Sequence, residues 1–274
     1  RGLRCRRVVW ALKRYRRFPI YDAPAALMNA ASAQAPAILF AAWFSIELAG
    51  YFALSMRMLS APVSLVGSAL SQVLFPKLVE SNRTGSADKV MLSSFRLLAG
   101  VSFFPFSAIA ALAPTIFPEL FGASWSGVGK VASWTAAWVA LQFVYAPLSV
   151  FLVCAEAQRL NMAIQTCFFV LRFFPLLFIH IGWLSADPIV TFSVSSVFCY
   201  IGAILVLARF SNVKFKKVAE IIVLEFIFGA SAGLGLWMLV GWSKGCALLA
   251  AFFLSCVYFF HVNRIRIQFS SAVA

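Results

Sequence analysis

The sequence predicts an all-α integral membrane protein with about eight transmembrane helices. Of its 274 residues, 62% are hydrophobic and only 12% are charged, whereas soluble domains are about 45–50% apolar and about 25% charged. The mean hydropathy of the chain is +0.91. Its apolar residues fall into stretches close to the length of about 20 residues that a helix needs to cross a bilayer. Together these observations indicate that the chain is surrounded by lipid.

Short polar connections separate the apolar stretches, and they leave no room for a soluble domain. The last stretch is shorter than the others and is the weakest of the predicted spans. In chain order, the predicted spans are 24–44, 49–75, 91–113, 129–153, 160–183, 188–208, 219–240 and 246–262.

The positions of the basic residues predict the orientation. With the N-terminus in the cytoplasm, only Lys130 and Lys244 of the 23 Lys and Arg residues fall outside, while Arg57 and Arg172 lie within spans. An excess of Lys and Arg in cytoplasmic loops is the rule for membrane proteins. We therefore expect both termini to be cytoplasmic and residues 1–20 to form a basic linker on membrane lipids. The net charge of +14 then reflects topology, and we expect no nucleic-acid partner.

The cysteines and histidines offer no metal or catalytic centre. The six cysteines are scattered without a CxxC pair, and His180 and His261 have no carboxylate neighbours in sequence. Metal sites and general acid–base chemistry need such groups clustered at set spacings. We expect no metal, no cofactor and no enzymatic activity. An integral-membrane polysaccharide polymerase or glycosyltransferase remains the less favoured alternative.

Arg57 lies inside the second predicted span, where an arginine costs at least about 2.5–3.5 kcal/mol. Helical spacing predicts a stripe of small and polar residues on its side and an apolar back, which we expect to face lipid. No acid is expected at matching depth to pair with it. We interpret the stripe as the wall of a water-filled cavity, although it could instead serve close helix packing. The stripe comprises Gly50, Ala53, Arg57, Ser60, Ala61, Ser64, Ser68, Ser71 and Gln72.

Polar faces also occur on the first, fourth and fifth predicted spans. Taken singly, an Asn or Gln in a span is commonly a hydrogen bond between helices. Four spans with polar faces, two of them cationic, suggest a shared hydrophilic interior, and unpaired arginines there favour phosphate. The candidate substrate-binding residues are Arg57, Arg172, Gln142, Asn29, Gln165, Tyr145 and Ser64.

Four blocks of the sequence resemble the C-terminal half of bacterial polysaccharide flippases, the O-antigen and exopolysaccharide exporters of the multidrug/oligosaccharidyl-lipid/polysaccharide (MOP) superfamily. Their order and spacing match that family over residues 15–210. The blocks are YRRFPIYDAPAALMNAASAQAPAIL, GYFALSMRMLSAPVSLVGSALSQVLFPKL, the outer turn LFGASWSGVGKVA and the following VYAPLS.

This resemblance implies a MATE/MOP-like fold in which two six-helix bundles work by alternating access. It implies that residues 21–210 form the C-terminal bundle and that 211–274 add two transmembrane helices. An N-terminal bundle, in a longer chain or a second chain, is then the expected partner. The implied substrate is an undecaprenyl-pyrophosphate-linked oligosaccharide, carried across the bacterial inner membrane for surface polysaccharide biosynthesis.

The resemblance also assigns roles to the candidate residues. Arg57 falls on the position of a cavity arginine in related flippases, so it is expected to bind the pyrophosphate, with Arg172 as a second cationic contact. Gln142, Asn29 and Gln165 are weaker candidates for sugar hydroxyls. A multidrug exporter of the same superfamily is the alternative transporter, but such proteins place acids in the membrane where this chain places arginines. A non-transporting scaffold also stays open.

Overall fold

A computed structural model describes residue 20 and residues 23–242, and this part of the chain is helical throughout apart from short turns. The predicted linker, apart from residue 20, and the predicted span 246–262 lie outside the described residues. The helices are α1 (Ala23–Trp43), α2 (Ile46–Thr84), α3 (Ala87–Phe121), a 3₁₀ turn (Ala123–Trp125), α4 (Ser126–Cys154), α5 (Gln158–Ile181), α6 (Pro188–Phe210) and α7 (Phe215–Trp242).

Five of these helices are long and apolar enough to cross a membrane, by length and composition alone. They are α1, α3, α4 with its preceding 3₁₀ turn, α5 and α6. The prediction of an all-α, multi-pass membrane protein is confirmed by this pattern. Helices α2 and α7 cover the predicted spans 49–75 and 219–240, but they are not among the five.

Helices α2 and α3 are longer than the spans predicted for them. At 1.5 Å per residue, the 39 residues of α2 extend about 58 Å, well beyond the hydrocarbon thickness of about 30 Å. Ser45 caps the start of α2, since its side chain accepts a hydrogen bond from Leu48 N. Gly85 caps the other end with a φ of 73°, a conformation that suits glycine. Hydropathy finds only the membrane part of a helix, whereas backbone hydrogen bonds continue into the polar residues beyond it.

Helix α4 is the centre of the bundle and packs against α2, α3, α5 and α6. Helices α1, α2, α4, α6 and α5 contact one another in that order and close into a ring, since α5 also packs on α1. A buried hydrogen bond of 2.9 Å from Ser55 Oγ to Val128 O joins α2 to α4. Helix α3 packs on α4 and α2, and α7 packs mainly on α3. The ring of five helices encloses the space described below.

The orientation of α2 differs from the sequence-based expectation. Its apolar side is turned into the bundle, where Leu59 is 3% and Leu74 is 2% exposed. Most of the polar stripe is exposed instead, including Ser60, Ser64 and Gln72. The expectation that the apolar back faces lipid is therefore wrong within this bundle. Helical periodicity separates two faces, but only packing against neighbours decides which of them is buried.

Glycines bring α3 close to the helices on either side of it. A Cβ built on Gly229 of α7 would lie 2.6 Å from Ser107 Oγ, and one on Gly233 would lie 3.0 Å from Ser107 O. On the other side, a Cβ on Gly129 of α4 would lie 2.5 Å from Ala113 O. Small residues at helix interfaces allow this close approach, which drives helix association where the hydrophobic effect cannot.

The substitution Gly129→Ala is expected to destabilise the bundle by about 1–3 kcal/mol, as overpacking commonly does. The added methyl group meets the backbone of α3 at Ala113, which cannot move aside as a flexible side chain can. The apparent Tm of the purified protein in detergent should fall by several degrees. Gly202→Ala in α6 is the matched control, because a Cβ there has no neighbour within 4 Å. Equal Tm values for the two variants would contradict the close α3–α4 approach.

Candidate functional site

A cavity of about 560 Å³ lies inside the ring of five helices. Each helix of the ring contributes to its wall, so the site exists only in the folded bundle. Arg57 and Arg172 both line this cavity, together with amide side chains from α1 and α4. Its polar lining is Asn29, Ser32 and Gln34 from α1, Arg57 and Ser60 from α2, Gln142 from α4, Arg172 from α5 and Tyr200 from α6.

Arg172 is held in a cage of four aromatic rings. Its Cζ atom lies 4.9–5.7 Å from the ring centroids of the caging residues. A cation over an aromatic face is attracted by the ring quadrupole, by about 2 kcal/mol or more when the pair is desolvated. The cage thus offsets part of the cost of burying a guanidinium that is only 4% exposed. The four rings belong to Trp138, Phe168, Phe192 and Tyr200.

The cage leaves two of the three nitrogen atoms of the Arg172 guanidinium without a hydrogen bond in the described part of the chain. Among the described residues, none accepts a hydrogen bond from its Nε or Nη2 atoms, although both are buried. The indole Nε1 of Trp138 and the Oγ of Ser32, which also line the cavity, are likewise buried without a hydrogen-bond partner in this part of the chain. Buried polar groups in proteins are normally hydrogen-bonded, and each exception calls for an explanation. Unused donors around a buried cation are suited to bind an anion.

Arg57 lines the cavity from the opposite side of the ring, on α2. Unlike Arg172 it is exposed, and Ala53 and Ser60 on the neighbouring turns leave space around it. No salt bridge involves Arg57 within the part of the chain that the structure describes. The cavity therefore presents one buried and one exposed guanidinium, and among its described lining residues there is no carboxylate. This charge distribution favours an anionic ligand.

A cluster of three aromatic side chains adjoins the cavity. Phe40 is fully buried, and its ring lies 5.0 Å from that of Phe52 and 5.8 Å from that of Phe192. The rings of Phe52 and Phe192 are in turn 5.7 Å apart, edge to face. This cluster lies where α1 ends and α2 begins. Phe52 and Phe192 also line the cavity, so two of the three rings form part of its wall.

Four of the seven candidate residues are brought together by the fold: Arg57, Arg172, Gln142 and Asn29 all line the cavity. The other three do not. Gln165 is buried and its Oε1 has no hydrogen-bond partner among the described residues, whereas Ser64 is exposed and donates to Ala61 O. Tyr145 is buried behind the wall, with its ring 5.8 Å from that of Tyr200. Tyr145 therefore supports the cage and does not touch the cavity.

Sequence reasoning missed most of the aromatic cage and one acid. Phe168 stands four residues before Arg172, a spacing that places both on one helix face and could have been noticed. Phe192 and Tyr200 come from α6, and nothing in the sequence indicates that they surround Arg172. The acid is Glu225, which belongs to the predicted span 219–240 and is 8% exposed in α7. It does not line the cavity.

The fold and the cavity define a multi-pass membrane protein with a cationic internal site. A family model described as "Polysaccharide biosynthesis protein" matches residues 3–130, which reach from the basic N-terminal segment into the start of α4. This match supports a role in polysaccharide biosynthesis. No curated protein and no solved structure matched the chain in the corresponding comparisons. Asn29 and Arg57 fall within the matched segment, and Gln142 and Arg172 lie beyond it.

Proposed function

We propose that this chain is one bundle of a flippase that carries an undecaprenyl-pyrophosphate-linked oligosaccharide across the bacterial inner membrane. The observation that carries this proposal is Arg172, a buried guanidinium that lines an internal cavity and has two donor atoms without a hydrogen-bond partner among the described residues. Such a group costs free energy unless an anion occupies the site. The family match makes a carrier-linked intermediate of polysaccharide assembly the fitting anion, because its pyrophosphate is its charged part.

Within this proposal, Arg172 and Arg57 bind the pyrophosphate from two sides. The planar fork of a guanidinium binds two phosphate oxygens at once, and the two arginines stand on different helices. Gln142 and Asn29, which also line the cavity, offer amide groups to the sugar hydroxyls. The isoprenoid tail stays in the bilayer. No bond is made or broken, so the protein acts as a transporter and not as an enzyme.

The exposed stripe on α2 supports a second bundle as partner. Ser64 and Gln72, which are exposed and do not line the cavity, would be unfavourable against hydrocarbon. A second bundle, from the same or another chain, would cover this stripe and complete the cavity, and alternating access would follow from its movement. The aromatic cluster of Phe40, Phe52 and Phe192 then closes the outer end. In this proposal both termini lie in the cytoplasm, which agrees with the distribution of the basic residues.

An acid-free lining also separates this proposal from a multidrug exporter of the same superfamily. Exporters of cationic drugs need negative charge at the substrate, whereas the described lining of this cavity carries two cations. A polymerase would in addition need acids or bases at the reacting atoms.

The test is deletion of the gene in its source bacterium. We expect surface polysaccharide to be lost and its lipid-linked precursor to accumulate on the inner leaflet, protected from a glycan-modifying reagent added to spheroplasts. The cloned gene should restore both. If the precursor is accessible from outside in the deletion strain, the protein is not a flippase. If this accessible precursor is in addition not joined into polymer, the result indicates a polymerase.

A further inference from the structure

A second cavity, of about 510 Å³, lies at the corner where α6 ends and α7 begins. Its polar lining consists of Arg209, Asn212 and Lys214, while Leu205, Val206 and Phe215 are among its apolar walls. The cavity is separate from the internal site, with which it shares no residue. It combines a cationic rim with an apolar wall.

The corner is strongly basic and faces outward. Arg209, Lys214, Lys216 and Lys217 are all exposed, and the nearest acid in the sequence is Glu220, on the next turn of α7. Lysines in the first turn of a helix are unfavourable, because the helix dipole is positive there. The first turn of α7 carries no acid to offset them. An external anion would relieve this concentration of positive charge.

The corner is also held in a fixed shape. The backbone N–H of Val213 donates to Ala208 O at 2.8 Å, and that of Asn212 donates to Arg209 O at 3.2 Å. Asn212 has a φ of 58°, the left-handed conformation that reverses the chain. Val213 is only 7% exposed and anchors the turn in the core. The basic groups are thus displayed from a rigid turn.

The apolar part of the corner is open to the surroundings of the bundle. Phe215 is 63% and Val206 is 40% exposed, directly beside the cations. A soluble anion would use the charges and leave these side chains in contact with water. A phospholipid contacts both the charged and the apolar groups, since its phosphate meets the basic rim and the start of its acyl chains meets the apolar wall. The α2–α3 turn, also rich in basic residues, lies at this same end of the antiparallel bundle.

From the cavity, its charge and its exposed apolar wall, we propose that the α6–α7 corner binds the headgroup of an anionic phospholipid. Basic pockets between transmembrane helices on the cytoplasmic side are suited to such headgroups. The proposal requires that the protein lies in a membrane, but it does not rest on the proposed transport activity.

The test is a lipid titration of the full-length protein, purified and delipidated in a non-ionic detergent, with bound lipid counted by native mass spectrometry. Phosphatidylglycerol should bind at concentrations at least about tenfold lower than phosphatidylcholine with the same acyl chains. The triple variant Lys214→Gln, Lys216→Gln, Lys217→Gln should lose this preference. Phe215→Ala should weaken phosphatidylglycerol binding a few-fold, because it removes part of the apolar wall.

The triple variant Arg83→Gln, Lys89→Gln, Arg96→Gln is the matched control. It removes the same charge from exposed positions near the same end of the bundle, but none of the three lines this cavity. Equal loss of preference in both triple variants would overturn the proposal, since only overall charge would then matter. Displacement of the lipid by inorganic phosphate at a comparable concentration would also overturn it, because the site would then take phosphate alone. Arg57→Ala should leave this binding unchanged even if it stops transport.

Discussion

Export of the lipid-linked glycan is expected to fall at least about a hundredfold when Arg172 is replaced by methionine. Two of its buried donors have no hydrogen-bond partner among the described residues. A hydrogen bond to a charged group contributes about 1.5–3 kcal/mol, and about 1.4 kcal/mol corresponds to a tenfold change. Losing two such bonds to phosphate therefore removes most of the affinity. The measurement is the rate at which labelled precursor becomes accessible outside.

The same variant separates a ligand-binding role from a structural one. Methionine fills the aromatic cage, so the cavity walls keep their packing, and the cost of burying a charge disappears. We therefore expect the apparent Tm to stay within about 4 °C of the parent value, a difference of about 1–2 kcal/mol for a chain of this size. If Arg172 only holds the four rings together, its replacement should instead lower the Tm sharply while the surviving protein still exports. That combination would refute the proposed role.

Arg57→Ala is expected to abolish export while the protein still inserts into the membrane. Arg57 is exposed within the bundle and forms no salt bridge in the described part of the chain, so its removal breaks no ion pair there. Arg57→Lys should recover only part of the activity, because an ammonium keeps the charge but lacks the planar fork. Export is measured as surface polysaccharide in the deletion strain carrying each variant, at matched protein levels.

Arg83→Ala is the control for this experiment. Arg83 is also an exposed arginine on α2, but it lies at the far end of the helix and does not line the cavity. The Arg83→Ala variant should export normally. Normal export by Arg57→Ala would remove Arg57 from the binding residues. Equal loss in both variants would point to an effect of charge on insertion or topology.

The ends of a helix could be predicted from the sequence where they coincide with the ends of an apolar stretch. Helices α1, α4, α5 and α6 begin and end within three residues of the predicted spans. Helices α2 and α3 could not be bounded in this way, because both continue past the apolar stretch into residues such as Lys77 and Lys89. Their true ends depend on backbone hydrogen bonding and on Gly85, and not on lipid.

The candidate site was predictable only in part. An arginine inside an apolar stretch is visible in sequence because of its cost in hydrocarbon, and this reasoning identified Arg57 and Arg172. Asn29 and Gln142 followed from helical periodicity. The same periodicity also selected Gln165 and Ser64, because it shows which residues share a face without showing what that face contacts.

By itself, then, the sequence determined that this is an all-α membrane protein, approximately where its helices run, and that Arg57 and Arg172 lie inside apolar stretches. These properties are local, since each depends on the composition of one continuous stretch. Tertiary structure decided that α2 turns its apolar side inward, that both arginines share one cavity, and that aromatic rings from three helices enclose Arg172. Those properties join residues far apart in the chain, such as Arg57 and Arg172, and only the packing of whole helices brings them together.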